Sequence, residues 1–192
     1  MLYSQKFLPT NNRVVMLATQ SSKGRVINFQ INLQNGDRHI RSNVKLGPYI
    51  TTAAITSCNY LILNANKLGI DKNLLLQSDL HINFDMLDDD IIKDGPSCGL
   101  AIFLALYTKL KSIQLKKVLA VTGEVTLSGK ILGISDLKEK LEAAIQNNIS
   151  AAIVPQSDLV DIKLMSQDLL KNIEIIAANN IGELLAKLHL MS

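Results

Sequence analysis

The chain has 192 residues, 47% of them apolar and 19% charged, with a formal net charge of +3 and no tryptophan. That is enough chain to bury a full aliphatic core, while so weak a positive charge, with few aromatics and no Lys/Arg-rich run, speaks against nucleic acid as a partner. Two cysteines make no disulfide framework and fit a reducing, cytoplasmic setting, and the longest apolar run, Leu100 to Leu106, falls far short of the ~20 residues a membrane-spanning helix needs.

Residues 14–19 and 25–33 read as two strands of a hairpin across Ser21-Ser22-Lys23-Gly24, because Phe29, Ile31 and Leu33 alternate with polar residues. Gln34-Asn35-Gly36-Asp37 reads as a second turn through its Asn-Gly step. From Pro48 to Leu68 the apolar spacing becomes helical, with Gly69 as the stop. Asp79 to Phe84 reads as a strand, followed by an acidic loop, Asp85-Met86-Leu87-Asp88-Asp89-Asp90.

A Gly95-Pro96 turn then opens a helix to about Lys111. Lys117 to Thr122 is a strand, and Thr126 to Ile134 a hairpin around Ser128-Gly129. A helix from Leu137 to about Asn147, a buried strand Ala151 to Val154, and a helix Asp158 to Leu170 follow. A strand Ile173 to Ala177 and a helix Ile181 to His189 close the chain. Helices alternating with mixed strands predict an α/β (α+β) fold, read as one domain over 1–192 with a β-rich portion at about 10–45.

Two segments carry chemistry. In Asp94-Gly95-Pro96-Ser97-Cys98-Gly99, Pro96 suits the first turn of a helix and Gly95 allows a sharp bend before it. Ser97 thereby sits where unsatisfied N–H groups and the helix dipole favour developing negative charge, the setting an oxyanion needs. Gly99, lacking a side chain, would let a substrate backbone approach. On this turn alone, a serine that merely caps a buried helix is the commoner outcome.

In Leu137-Lys138-Glu139-Lys140, Asp136 and Glu139 have the spacing of a capping box. Leu137, Leu141, Ala144 and Ile145 define the inward face, with a lysine on each margin. Lys140 projects between Ala143 and Ala144, whereas Lys138 has Glu142 four residues on, an ordinary exposed pair. Lys140 is therefore the candidate base. Desolvation must lower its pKa from near 10.4 for a neutral amine to take the Ser97 proton.

Asp94-Gly95-Pro96-Ser97-x-Gly99, Thr122-Gly123-Glu124-x-Thr126-Leu127-x-Gly129 and Leu137-Lys138-Glu139-Lys140-Leu141-x-Ala143-Ala144, in this order, resemble the proteolytic domain of the Lon protease family. The resemblance runs from about Val14 to the C-terminus. It implies a serine endopeptidase with Ser97 as nucleophile and Lys140 as base, Thr122 hydrogen-bonding near the lysine, and His81 in support. Gly95, Pro96, Cys98 and Gly99 would form the oxyanion turn.

It also implies a fold of mixed sheets with flanking helices, a hexameric homo-oligomer, and unfolded or damaged proteins as substrates. No phosphate-binding Gly-rich segment is present. The chain thus reads as an excised fragment or a stand-alone domain, the second fitting slightly better, with no cofactor of its own and with ATP-driven delivery only from a separate unfoldase. Against the family pattern, Cys98 stands for a small alanine, Ser135-Asp136 for a glycine pair, Ile92 for a proline and Gln30 for an acidic residue.

The other candidates are weaker. His39, His189, Cys58 and Cys98 lack metal-ligand spacing, and Asp88-Asp89-Asp90 lacks a calcium loop's alternation and glycine. Asp94 reads as a cap that could alternatively pair with Lys140 in a closed conformer. A catalytically quiet assembly or adaptor domain is the alternative function.

Overall fold

A computed structural model describes residues 13–85 and 95–190. The chain opens with β1 (Val14–Gln20) and β2 (Lys23–Asn35), an antiparallel hairpin in which Gln20 faces Lys23 and Thr19 faces Gly24. The turn is only Ser21-Ser22, both left-handed at φ 48° and 62°. Two left-handed central residues match the right-handed twist of the strands, so Lys23 and Gly24, expected in the turn, already belong to β2.

At the end of β2 the chain bends, and β3 (Ile40–Ser42) returns beside β4 (Ser78–Phe84) in parallel. Asp79 of β4 holds this bend. Its carboxylate accepts the N–H groups of Asp37 (3.0 Å) and His39 (2.9 Å) and pairs with Arg41 at 2.5 Å. Arg41 first, then those amides, hold the Asp79 pKa down at about 2. A Cβ at Gly36 would lie 2.3 Å from Asp79 Oδ1, so glycine is required there by close approach.

The helix expected over Pro48 to Leu68 is broken. Helix α1 (Pro48–Leu63) ends at Asn64, and α2 (Ala65–Leu68) then stops at Gly69, left-handed at φ 61°. A short α3 (Asn73–Leu76) precedes β4. After the segment 86–94, which lies outside the described residues along with the acidic loop and Asp94, a single 3-10 turn (Pro96–Cys98) leads into α4 (Gly99–Leu110). Ten of the twelve α4 residues are buried, so this helix is apolar on every side.

Next come β5 (Leu119–Val121), the hairpin β6 (Glu124–Val125) and β7 (Ile131–Leu132), α5 (Leu137–Gln146) and β8 (Ala151–Pro155). The helix expected over 158–170 is two pieces, α6 (Leu159–Lys163) and α7 (Gln167–Leu170). Ser166 caps the second by accepting the Leu169 N–H. Strand β9 (Glu174–Ala178) and α8 (Ile181–Lys187) complete the chain.

The seven-stranded sheet runs β3-β4-β2-β1-β5-β8-β9. Pairing is antiparallel between β1, β2 and β4, and parallel from β1 through β5 and β8 to β9. Alternation along β1 sends Val14 and Met16 to the face covered by α1 and α4, and Val15 and Leu17 to the face covered by α5. This is a mixed α/β architecture with helices on both faces. Strand β1 packs against the turn carrying Ser97, and the segment just after its parallel neighbour β5 is hydrogen-bonded to that turn. Among the described residues, no helix is long and apolar enough to cross a membrane.

Candidate active site

Ser97 is half-buried on the turn that feeds α4. That turn is tied down by the segment after β5: Gly123 N–H donates to Ser97 O at 2.8 Å, and Leu100 N–H to Gly123 O at 3.0 Å. The Thr122-Gly123-Glu124 motif therefore fixes the backbone of Ser97 directly.

Two of the expected glycine roles are not the ones seen. Gly95 is extended, at φ −164° and ψ 146°, and a Cβ on it would meet nothing within 4 Å among the described residues. Any residue can adopt that backbone. Gly99 is buried, and its Cβ would lie 3.3 Å from Val125 N and 3.6 Å from Ala53 Cβ. Its missing side chain serves packing of α4 against β6 and α1, not the approach of a substrate. Pro96 is exposed at the start of the turn, and the Cys98 thiol is buried, donating to Gly95 O at 3.3 Å.

Lys140 comes from the opposite side of the sheet, on α5, and is only 3% exposed. Its amine donates to the carbonyl of Ser135 at 3.0 Å. Desolvation lowers its pKa from the usual lysine value, opposed by the charges of Asp136 and Asp158. Lys138 is exposed, 3.9 Å from Glu142. Lys138→Ala is accordingly expected to change hydrolysis by less than about twofold and stability by less than ~0.5 kcal/mol. A larger loss in a peptidase assay would reverse the assignment of the two lysines.

Ser97 and Lys140 line one cavity of about 420 Å³, together with Met16, Ala18, Ile50 and Glu124. The two elements thus converge, although the Lys140 amine in this structure is turned to Ser135 O. Thr122 is wholly buried, but its Oγ1 has no hydrogen-bond partner among the described residues. The hydrogen bond expected near the lysine is absent among the described residues.

His81 does not line the cavity. Leu80, Ile82 and Phe84 take the core face of β4, leaving His81 on the other face, opposite Asn32 of β2 and Arg41 of β3. The capping box is also absent: Asp136 is left-handed at φ 57° and caps nothing, accepting the Thr19 hydroxyl at 2.9 Å.

Sequence reasoning gave Ser135 and Asp158 no role at the site. Neither carries a local signal; the β7–α5 loop and the β8–α6 corner bring them to Lys140 only in three dimensions. Among the described residues, no group of three His, Cys, Asp or Glu could hold a metal ion.

The profile of the Lon protease C-terminal proteolytic domain matches residues 9–191. This chain belongs to the Lon proteolytic-domain family. It is 31% identical over 170 residues to a Lon protease of Endomicrobium trichonymphae, covering 88% of this chain and 21% of that protein. It is 32% identical over 164 residues to a Lon protease of Aster yellows witches'-broom phytoplasma, covering 85% and 20%. For a Lon protease of Rickettsia prowazekii the figures are 30% over 169 residues, covering 88% and 21%. The chain spans about a fifth of the length of these Lon relatives. The mixed sheet with helices on both faces is consistent with the Lon proteolytic fold.

Proposed function

We propose that this chain is a serine endopeptidase in which Ser97 is the nucleophile and Lys140 the general base, cutting peptide bonds in unfolded or damaged proteins. The observation that carries the reading is a desolvated lysine sharing one cavity with a serine at the head of a buried helix. Neutral Lys140, turning from Ser135 O, takes the Ser97 proton as Oγ attacks the peptide carbonyl carbon. The oxyanion develops at the N-terminal end of α4, where the helix dipole favours negative charge. The lysine ammonium then passes its proton to the departing amine, leaving an acyl-serine. Water, deprotonated by the same amine, releases the acid and restores Ser97.

The same reading makes the chain a cytoplasmic homo-oligomer, a hexamer by family resemblance, without metal or cofactor of its own. Polypeptides reach it unaided or from a separate ATPase ring. Membrane and nucleic acid are not partners in this scheme.

One observation favours a second reading, a catalytically quiet assembly domain: the Lys140 amine is engaged by Ser135 O. Digestion of casein without nucleotide separates the two. Fragments from the wild type and none from Ser97→Ala are expected. Equal digestion by both would overturn the nucleophile, and none by the wild type, even with an ATPase ring supplied, would leave the quiet domain.

A further inference from the structure

Loop 133–136, between β7 and α5, presents the carbonyl that accepts the Lys140 amine, and it is pinned from two sides by aspartates that decline their usual work. Asp158 occupies the N-cap position of α6 yet makes no cap hydrogen bond. An aspartate there ordinarily accepts an N–H of its own helix. Instead its carboxylate, 6% exposed, reaches back to accept Ile134 N–H at 3.0 Å and the Ser157 hydroxyl at 2.8 Å. A Cβ at Gly133 would lie 2.5 Å from Asp158 Oδ1, so the loop closes directly over the carboxylate. Asp136 occupies the N-cap of α5, also caps nothing, and binds Thr19 of β1 at 2.9 Å. Ser135 O lies between these two anchors.

We propose that Asp158, with Asp136 as its counterpart on the β1 side, is a positioning residue for the Lys140 amine, acting through the Ile134–Ser135 segment. The inference rests on the dyad reading above. A neutral amine has two N–H donors and one lone pair. Fixing one donor on Ser135 O restricts where the lone pair can point, and the cavity shared with Ser97 is the open side. Both carboxylates also oppose the desolvation of Lys140. Other charged groups on the elements packed around Lys140 are Glu124, which lines the cavity, and Glu139 and Glu142 on α5, the last paired with Lys138; Lys23 and Arg25 on neighbouring β2 are exposed.

The test is a ¹³C NMR titration of protein labelled at the lysine ε-carbons, with the Lys140 signal assigned by its loss in Lys140→Met. Asp158→Asn keeps an acceptor for Ile134 N–H and removes the charge, as Asp136→Asn does beside Thr19. Each is expected to move the Lys140 midpoint down by roughly half a pH unit or more. The acidic limb of the rate profile should move with it. Asp158→Ala, which also frees Ile134, is expected to lower kcat about tenfold or more with KM little changed.

A midpoint unmoved in both asparagine variants overturns the inference. Should Asp158→Asn fail to fold, Asp136→Asn, at an exposed position, decides it. The dyad reading fails separately, if Lys140→Met retains full hydrolysis. The titration does not depend on turnover, so the two failures cannot be confused.

Discussion

Lys140→Met is expected to abolish peptide hydrolysis while leaving Tm unchanged or higher. The lysine is 3% exposed, so nearly its whole side chain is packed. Methionine is unbranched, of similar length, and adapts to such a slot. What disappears is an amine whose burial is costly, since desolvation is the largest influence on its pKa and pushes it down. Ser135 O loses its donor, which offsets part of the gain. Removing a positioned general base costs about 10²–10⁴ in rate. Initial rates on an unstructured peptide, with thermal unfolding of the same samples, check both halves. A fully active Lys140→Met would sink the dyad.

The same amine sets a pH dependence whose sign is fixed. In the unfolded chain Lys140 keeps its proton up to about pH 10.5, whereas in the folded chain it loses it earlier. Between those two values the unfolded state binds more protons, so stability rises with pH across the window. The penalty for burying the lysine is therefore largest below the folded pKa and disappears above 10.5. Hydrolysis should climb through the folded pKa as well, because only the neutral amine is a base. Lys140→Met should flatten the stability slope, and Lys140→Arg should remain inactive throughout, since guanidinium does not deprotonate.

What the sequence disclosed were the features with local causes. Alternation through Phe29, Ile31 and Leu33 marked β2, and the Gly95-Pro96 step before a wholly apolar run marked the entry to α4. The face of α5 could be drawn from Leu137, Leu141 and Ala144, and with it the choice of Lys140 over Lys138. The sequence did not disclose elements only three or four residues long, such as β3 and α3, whose patterns are too brief to have a period. Nor did it disclose contacts made at a distance. Asp136 and Glu139 have capping-box spacing, yet Thr19, 117 residues away, claims the Asp136 carboxylate. Gly99 looked like room for substrate because the strand segment that fills that room arrives from the Thr122-Gly123-Glu124 motif. Gly24 was read as a turn residue, and its real constraint is visible only once α5 is laid across β2.

That constraint makes Gly24→Ala a severely damaging substitution for its size. A Cβ at Gly24 would sit 1.8 Å from Glu139 O, 2.5 Å from Glu139 C and 2.9 Å from Ala143 Cβ. Two of these atoms are helix backbone, which has no rotamer by which to step aside. Either α5 lifts off the sheet or β2 buckles, and the Leu137–Leu141–Ala144 contacts with Val15 and Leu17 loosen in both cases. Overpacking of this kind costs about 3 kcal/mol, or a fall in Tm of roughly 6–12 °C for a chain of this size. Lys140 follows Glu139 directly, so any lift of the helix carries the proposed base with it. A displacement near 1 Å at a catalytic group is worth about 10² in rate. Activity measured well below the lowered Tm should therefore drop even in fully folded protein. Gly95→Ala is the matched control: it lies two residues before Ser97, yet its Cβ would meet none of the described residues within 4 Å. An unchanged Tm for Gly24→Ala would mean that α5 does not pack on β2 this closely, and the burial of Lys140 would lose its structural basis.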